Sequence, residues 1–179
     1  MDLFQRKFSA QEVAHATGAT SKQISDWCDM GLIIGQREKL GKGNRRAFSL
    51  FNLSEVAVAR ALMDVGVRAP SDAFRAAQRF SHSSSGGFNW PGDDGLSDYD
   101  APRYPGLPWH HGEGETFAFV AGQNCSIQLE ATLERAIREL RNPIGFIALN
   151  ISAVFARTMQ ALGLDYRVVL DSIYGAEKA

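Results

Sequence analysis

Ser9-Ala10-Gln11-Glu12-Val13-Ala14, Gly18-Ala19-Thr20-Ser21-Lys22-Gln23 and Ile24-Ser25-Asp26-Trp27-Cys28-Asp29-Met30-Gly31 carry the architecture of the N-terminal third. Ser9 followed by Glu12 is a capping box: the hydroxyl accepts a backbone N–H and the Glu reaches back. It predicts a short helix over roughly residues 10–16 that buries Val13 and its neighbouring alanines. Gly18 interrupts, as a tight turn between helices requires. Thr20 and Gln23 form a second capping box, opening a helix with Ile24 and Trp27 on one face and Gly31 at its end. Helix, glycine turn and helix within about twenty residues is helix-turn-helix geometry.

Working outward, Leu32-Ile33-Ile34 and Ala47-Phe48-Ser49-Leu50 are expected as two short strands. Glu38-Lys39-Leu40-Gly41-Lys42-Gly43-Asn44 has the composition of a hairpin tip between them. A third helix is expected from Asn52 or Ser54 to Val65, stopped by Gly66. A hairpin with cationic edges beside a helix-turn-helix is a winged helix. Charge agrees with it. Residues 1–70 hold 10 basic against 7 acidic residues, and 71–179 hold 9 against 13, so a near-neutral total conceals a basic N-terminal part. Between Ile34 and Arg46 lie Arg37, Lys39, Lys42, Arg45 and Arg46 against Glu38 alone. Local charge governs how a surface meets a polyanion.

This ordered series resembles the MerR-like winged helix-turn-helix. Phe8 to Ala14, Gly18 to Ser21, and Ile24 to Ile33 with its aromatic residue and Gly-Leu pair match the first two helices. Arg45-Arg46-Ala47-Phe48-Ser49 leading to Asn52-Leu53, and Asp64-Val65-Gly66, match the approach to the third helix and its end. The resemblance covers about 60 residues, one third of the chain. It implies that the second helix, Ser21–Met30, is a recognition helix. Ser21, Lys22, Gln23 and Ser25 then point outward, while Ile24 and Trp27 pack inward. In the major groove Gln pairs with adenine, and Lys with guanine or phosphate. Lys39, Lys42, Arg45 and Arg46 clamp the flanking phosphates, and Asn44 shapes the hairpin or reaches a minor-groove edge. Asp26 and Asp29 either avoid phosphate or orient a neighbouring basic side chain. Trp27 and Phe48 are expected in the core.

The resemblance stops at the third helix. Metal- and drug-sensing members continue into a long dimerisation helix. Here Pro70-Ser71-Asp72 opens a helix of about nine residues, which dissolves into Ser81-His82-Ser83-Ser84-Ser85, and no cysteine cluster follows. Residues 86–115 hold 7 of the 17 glycines, 4 of the 6 prolines and six acidic residues against Arg103. That composition excludes regular secondary structure. The aromatics Phe88, Trp90, Tyr99, Tyr104 and Trp109 suggest a long loop partly docked on a folded domain. From Thr116 on, the strands 116–121 and 126–130, a helix over residues 133–140, an apolar stretch from Ile144 to Ile151 that fits a buried strand or the start of a buried helix, a helix over 152–162 and a last strand 166–170 give a small α+β module.

The expected fold is therefore α+β: a winged helix-turn-helix over residues 1–80, a Gly/Pro/acidic loop over 81–115, and an α+β module for dimerisation, sensing or partner binding over 116–179. No enzyme chemistry is expected. His110-His111-Gly112-Glu113-Gly114-Glu115 reads as a polar loop, since adjacent histidines rarely converge on one ion and no second cluster completes a shell. Cys125 lacks a His–acid pairing, Cys28 is a packing residue, and Gly41-Lys42-Gly43 lacks Walker spacing. Hence no cofactor, metal or catalytic residue is assigned. No apolar run reaches a membrane span and no signal peptide begins the chain, so the expectation is a soluble cytoplasmic protein.

The function expected is a sequence-specific transcriptional regulator bound to double-stranded DNA. It is expected to be a homodimer through the C-terminal module, around Ile144–Leu162, with a possible protein partner. The alternative is a DNA-packaging protein of the small terminase kind or an excisionase. There the same domain marks or bends DNA for another machine.

Overall fold

The computed structural model describes residues 3–34, 46–84, 103–130 and 133–175. Strand β1 (Phe8–Ser9) leads into helix α1 (Ala10–Thr17), capped by the Ser9/Glu12 box and closed by left-handed Gly18 at φ 69°. Helix α2 (Ser21–Asp29) is capped by the Thr20/Gln23 box. Strand β2 (Ala47–Phe48) precedes α3 (Leu50–Asp64), and α4 (Pro70–Ser81) follows with Pro70 in its first turn. Strands β3 (Thr116–Ala121) and β4 (Asn124–Leu129) form a hairpin. Then come α5 (Leu133–Glu139), β5 (Ile147–Asn150), α6 (Ile151–Ala161) and α7 (Tyr166–Tyr174). The described residues make a mixed α+β structure with two small sheets. Among them no helix is long and apolar enough to cross a membrane.

Several expectations need correction. Leu32-Ile33-Ile34 is not a strand: it is held by side chains, described below. Ala47–Phe48 pairs instead with Phe8–Ser9, antiparallel, Phe8 opposite Phe48. Helix α3 starts at Leu50, two to four residues earlier than expected, because Ser49 and Asn52 form a third capping box. Tyr166–Leu170 is helical, the start of α7. Asp165 caps it, accepting the Arg167 N–H at 2.8 Å, and Tyr166, Val169, Leu170, Ile173 and Tyr174 recur at helical spacing against the core. The Arg-Val-Val-Leu run suggested a strand only because its window was too short to show that period. Helix α4 is also longer than expected, twelve residues.

Helix α3 is apolar nearly all round and sits at the centre, with α1, α4 and α6 packed on it. One hydrophobic cluster runs from Leu3 and Phe8 through Ile24, Trp27, Leu53 and Phe80 to Phe155, Met159 and Tyr174. Elements up to residue 84 and from residue 103 onward therefore share a core. The second sheet has the order β4-β3-β5, all antiparallel. Its side chains alternate as a pleat requires. Ala118 and Val120 join the main core, while Phe119 turns to the other face and meets Ala136 and Leu140 in a small separate cluster under α5.

Part of the glycine- and proline-rich segment is built into the fold. Leu107 and Trp109 are fully buried, and Ser54 Oγ donates to the Gly106 carbonyl at 2.7 Å. Arg103 is 1% exposed, its guanidinium donating to the carbonyls of Phe80, Tyr104, Leu107 and Ser83. It lies over the rings of Phe80 and Trp109, 5.1 and 5.6 Å from their centres. Tyr104 and Trp109 thus dock as expected; Phe88, Trp90 and Tyr99 lie outside the described residues.

Candidate nucleic-acid interface

Helix α2 owes its orientation to its buried stripe. Ile24, Trp27 and Cys28 are buried, and Trp27 meets Phe74 of α4 edge-on at 5.1 Å. The opposite face carries Ser21, Lys22, Ser25, Asp26 and Asp29, all exposed. Lys22 Nζ lies 2.6 Å from Asp26 Oδ2, one turn on. Gln23 is half-buried: its Oε1 accepts the Thr20 N–H at 2.8 Å while its own N–H donates to Thr20 Oγ1 at 3.1 Å. Bidentate pairing with adenine needs the amide's acceptor as well as its donor, so Gln23 would have to release the cap to read a base that way.

Arg46 stands beside this face. Its Nη2 is 2.8 Å from Asp29 Oδ1 and its Nη1 donates to the Ser25 carbonyl at 3.4 Å. The hydrogen bond to Asp29 raises its already high pKa. Both acidic residues of α2 therefore orient a basic side chain, one of the two roles expected for them. Cys28, behind Arg46, is pushed up by burial and is a packing thiol. Cys125 is half-buried, and desolvation pushes its thiol up to about 12, which keeps it protonated. Trp27 and Phe48 lie in the core as expected.

The entry to the basic stretch is tethered from α3 and α4. Asn52 Nδ2 donates to the Ile34 carbonyl and Gln78 Nε2 to the Leu32 carbonyl, both at 2.9 Å. The Ile34 N–H donates to the Glu55 carboxylate, which also accepts from Gln78 at 3.0 Å and faces His82 Nε2 at 3.3 Å. Glu55 is fully buried, and these three donors together with Asn52 Nδ2 at 3.4 Å make a buried carboxylate tolerable. None of these four side chains figured among the sequence candidates. The available signal was Glu55 itself, a charge followed directly by the apolar run Val56-Ala57-Val58-Ala59. Lys39, Lys42, Asn44 and Arg45 lie outside the described residues. Of the other site candidates, Ser21, Lys22, Ser25 and Arg46 come together on one face, and Gln23 is engaged in the cap.

Far along the chain, His110 and His111 both present Nε2 to Asp171 Oδ1 of α7, each at 2.8 Å. These two hydrogen bonds hold the Asp171 carboxyl below its ordinary value.

A scan of known family models finds none that matches this chain, and comparison with curated proteins finds none similar to it.

Proposed function

We propose that the protein is a sequence-specific DNA-binding regulator, with the exposed face of α2 in the major groove and the basic stretch after Ile34 on the flanking backbone. The observation that supports this most is the pairing of Ser21, Lys22 and Ser25, exposed on α2, with Arg46 braced by Asp29 at the foot of the basic stretch. The MerR-like residue series points the same way. On and beside α2 the charges nearly cancel, since Lys22 faces Asp26 and Arg46 faces Asp29. Affinity for phosphate must then come from Arg37, Lys39, Lys42 and Arg45, and α2 contributes selectivity.

In this reading the protein works as a homodimer. Ile151, Phe155 and Met159 are buried in its own core, which leaves Ile144, fully exposed, and Phe146 as the apolar surface of the 144–162 stretch. Replacing Ile144 with Glu should leave a monomer by sedimentation velocity.

The deciding experiment is selection from a random-sequence duplex library at two salt concentrations. A discrete motif that survives the higher salt is the expected result. Binding without a motif, lost as salt rises, would indicate an architectural or packaging role instead, and no binding at either salt would refute the reading.

A further inference from the structure

Two imidazoles and a carboxylate from distant parts of the chain converge at one point. His110 and His111 come from the irregular segment, Asp171 from the middle of α7, sixty residues on. Their three donor atoms lie within 4.8 Å of one another. The adjacency of the histidines does not prevent convergence, because the irregular backbone stacks their rings at 4.2 Å with both Nε2 atoms on the same side. The rings are held in place: His110 also meets Tyr174 edge-on at 5.9 Å, and Tyr174 OH donates to the Pro108 carbonyl at 2.7 Å. The imidazoles are about one-third exposed and the carboxylate more than half, so an ion has access and a further coordination position faces water. Arg167, one turn earlier on α7, is turned onto the ring of Tyr166.

We propose that His110, His111 and Asp171 form a binding site for a transition-metal dication of the zinc class, fastening the segment around residue 110 to α7. Zinc bonds of about 2.0–2.2 Å in tetrahedral geometry set donors about 3.3–3.5 Å apart. The two 2.8 Å contacts need to open by about 0.5–0.8 Å, and the two Nε2 atoms, which lie within 4.8 Å of each other, to settle at a similar spacing, to admit the ion. Two imidazole nitrogens select zinc, cobalt, nickel or copper over calcium and magnesium. Loading moves a proton. Asp171 now accepts Nε2–H from each ring, and His110 Nδ1 accepts the Gly112 N–H at 3.1 Å. With the ion on Nε2, each neutral ring carries its proton on Nδ1, so the Gly112 contact is given up. Glycine at 112 makes that peptide easy to turn.

The test uses the full chain without a histidine tag, titrated with zinc in competition with a chromophoric chelator, and with cobalt read by its visible absorption. One equivalent of zinc is expected to bind, with calcium inert. His111→Gln and Asp171→Asn should each weaken zinc binding by about tenfold or more, since even outer-shell partners cost that much. Absence of competition by the wild-type chain, or binding undiminished in both variants, would overturn the site and leave a hydrogen-bonded clasp. If Asp171→Asn loses helical circular dichroism, the His111→Gln titration decides alone. DNA binding plays no part in either readout.

Discussion

Gln23 Oε1 sits on the Thr20 N–H, so a substitution there can separate its capping role from base contact. Glu keeps the capping box and adds negative charge at a helix N-terminus, both favourable to α2, yet it presents a carboxylate to phosphate. Gln23→Glu should hold the melting temperature while weakening DNA binding. Gln23→Ala should cost roughly 1 kcal/mol of stability. Thermal denaturation beside a binding isotherm separates the two. Arg46→Ala removes a cation and leaves Asp29 facing the DNA. Affinity should fall for all sequences alike, while the slope of log K against log salt changes little, since Arg46 is engaged by Asp29 and the phosphates are met by Arg37, Lys39, Lys42 and Arg45. Arg103 belongs to the same scale. As a lone cation in an acidic segment, it gave no sign in the sequence of four carbonyl partners and two aromatic rings. Arg103→Met should destabilise by on the order of 3 kcal/mol, because buried carbonyls lose a charged donor; urea denaturation measures it.

Elements were legible where their signals are local. The capping boxes at Ser9 and Thr20, the left-handed Gly18 and the β3–β4 hairpin are all written within a few neighbouring residues, and the structure has them. What the sequence concealed depends on partners far away. The pairing of Phe8 with Phe48, the tethering of Ile34 by Asn52 and Glu55, and the meeting of Asp171 with two histidines are properties of tertiary packing. The α7 segment reads as a strand in a short window because β-branched residues favour strands, while its apolar period needs nine residues to show. Between β4 and α5, Glu139 accepts hydrogen bonds from Ser126 and Gln128 at 2.6 and 2.7 Å and from Arg135 at 3.0 Å. Burial pushes its carboxyl up, but these three donors prevail and hold it below its ordinary value. A lowered folded pKa means that the unfolded chain binds the extra proton. The stabilisation is therefore full above the unfolded value of about 4.3 and is lost as pH falls through the folded value. Glu139→Gln should flatten the acid limb of the stability profile below about pH 4.3, followed by circular dichroism.

For the molecule as a whole, the shared core matters most. Ile151, Phe155 and Met159 of α6 are buried in the cluster that also holds α1 and α3. Each such side chain contributes about 2 kcal/mol when buried, and together they amount to much of a typical domain's net stability of about 5–15 kcal/mol. A fragment ending at residue 84, which keeps every described element of the proposed DNA-binding part, should therefore lose its cooperative thermal transition. Retention of that transition in calorimetry would mean that the first four helices suffice alone.

The small cluster under α5 sets the order in which the structure comes apart. Phe119, Ala136 and Leu140 are its only fully buried members among the described residues, beside a main core many times larger. Few apolar contacts mean a low free energy of local opening. In native-state hydrogen exchange, the amides of α5 should be the first of the helical amides to take up deuterium, on a pathway that leaves β3 paired with β5. Protection in α3, buried from Asn52 to Ala59, should report the global unfolding free energy. The two faces of one three-stranded sheet would thus keep different time, one opening alone and the other only with the whole chain.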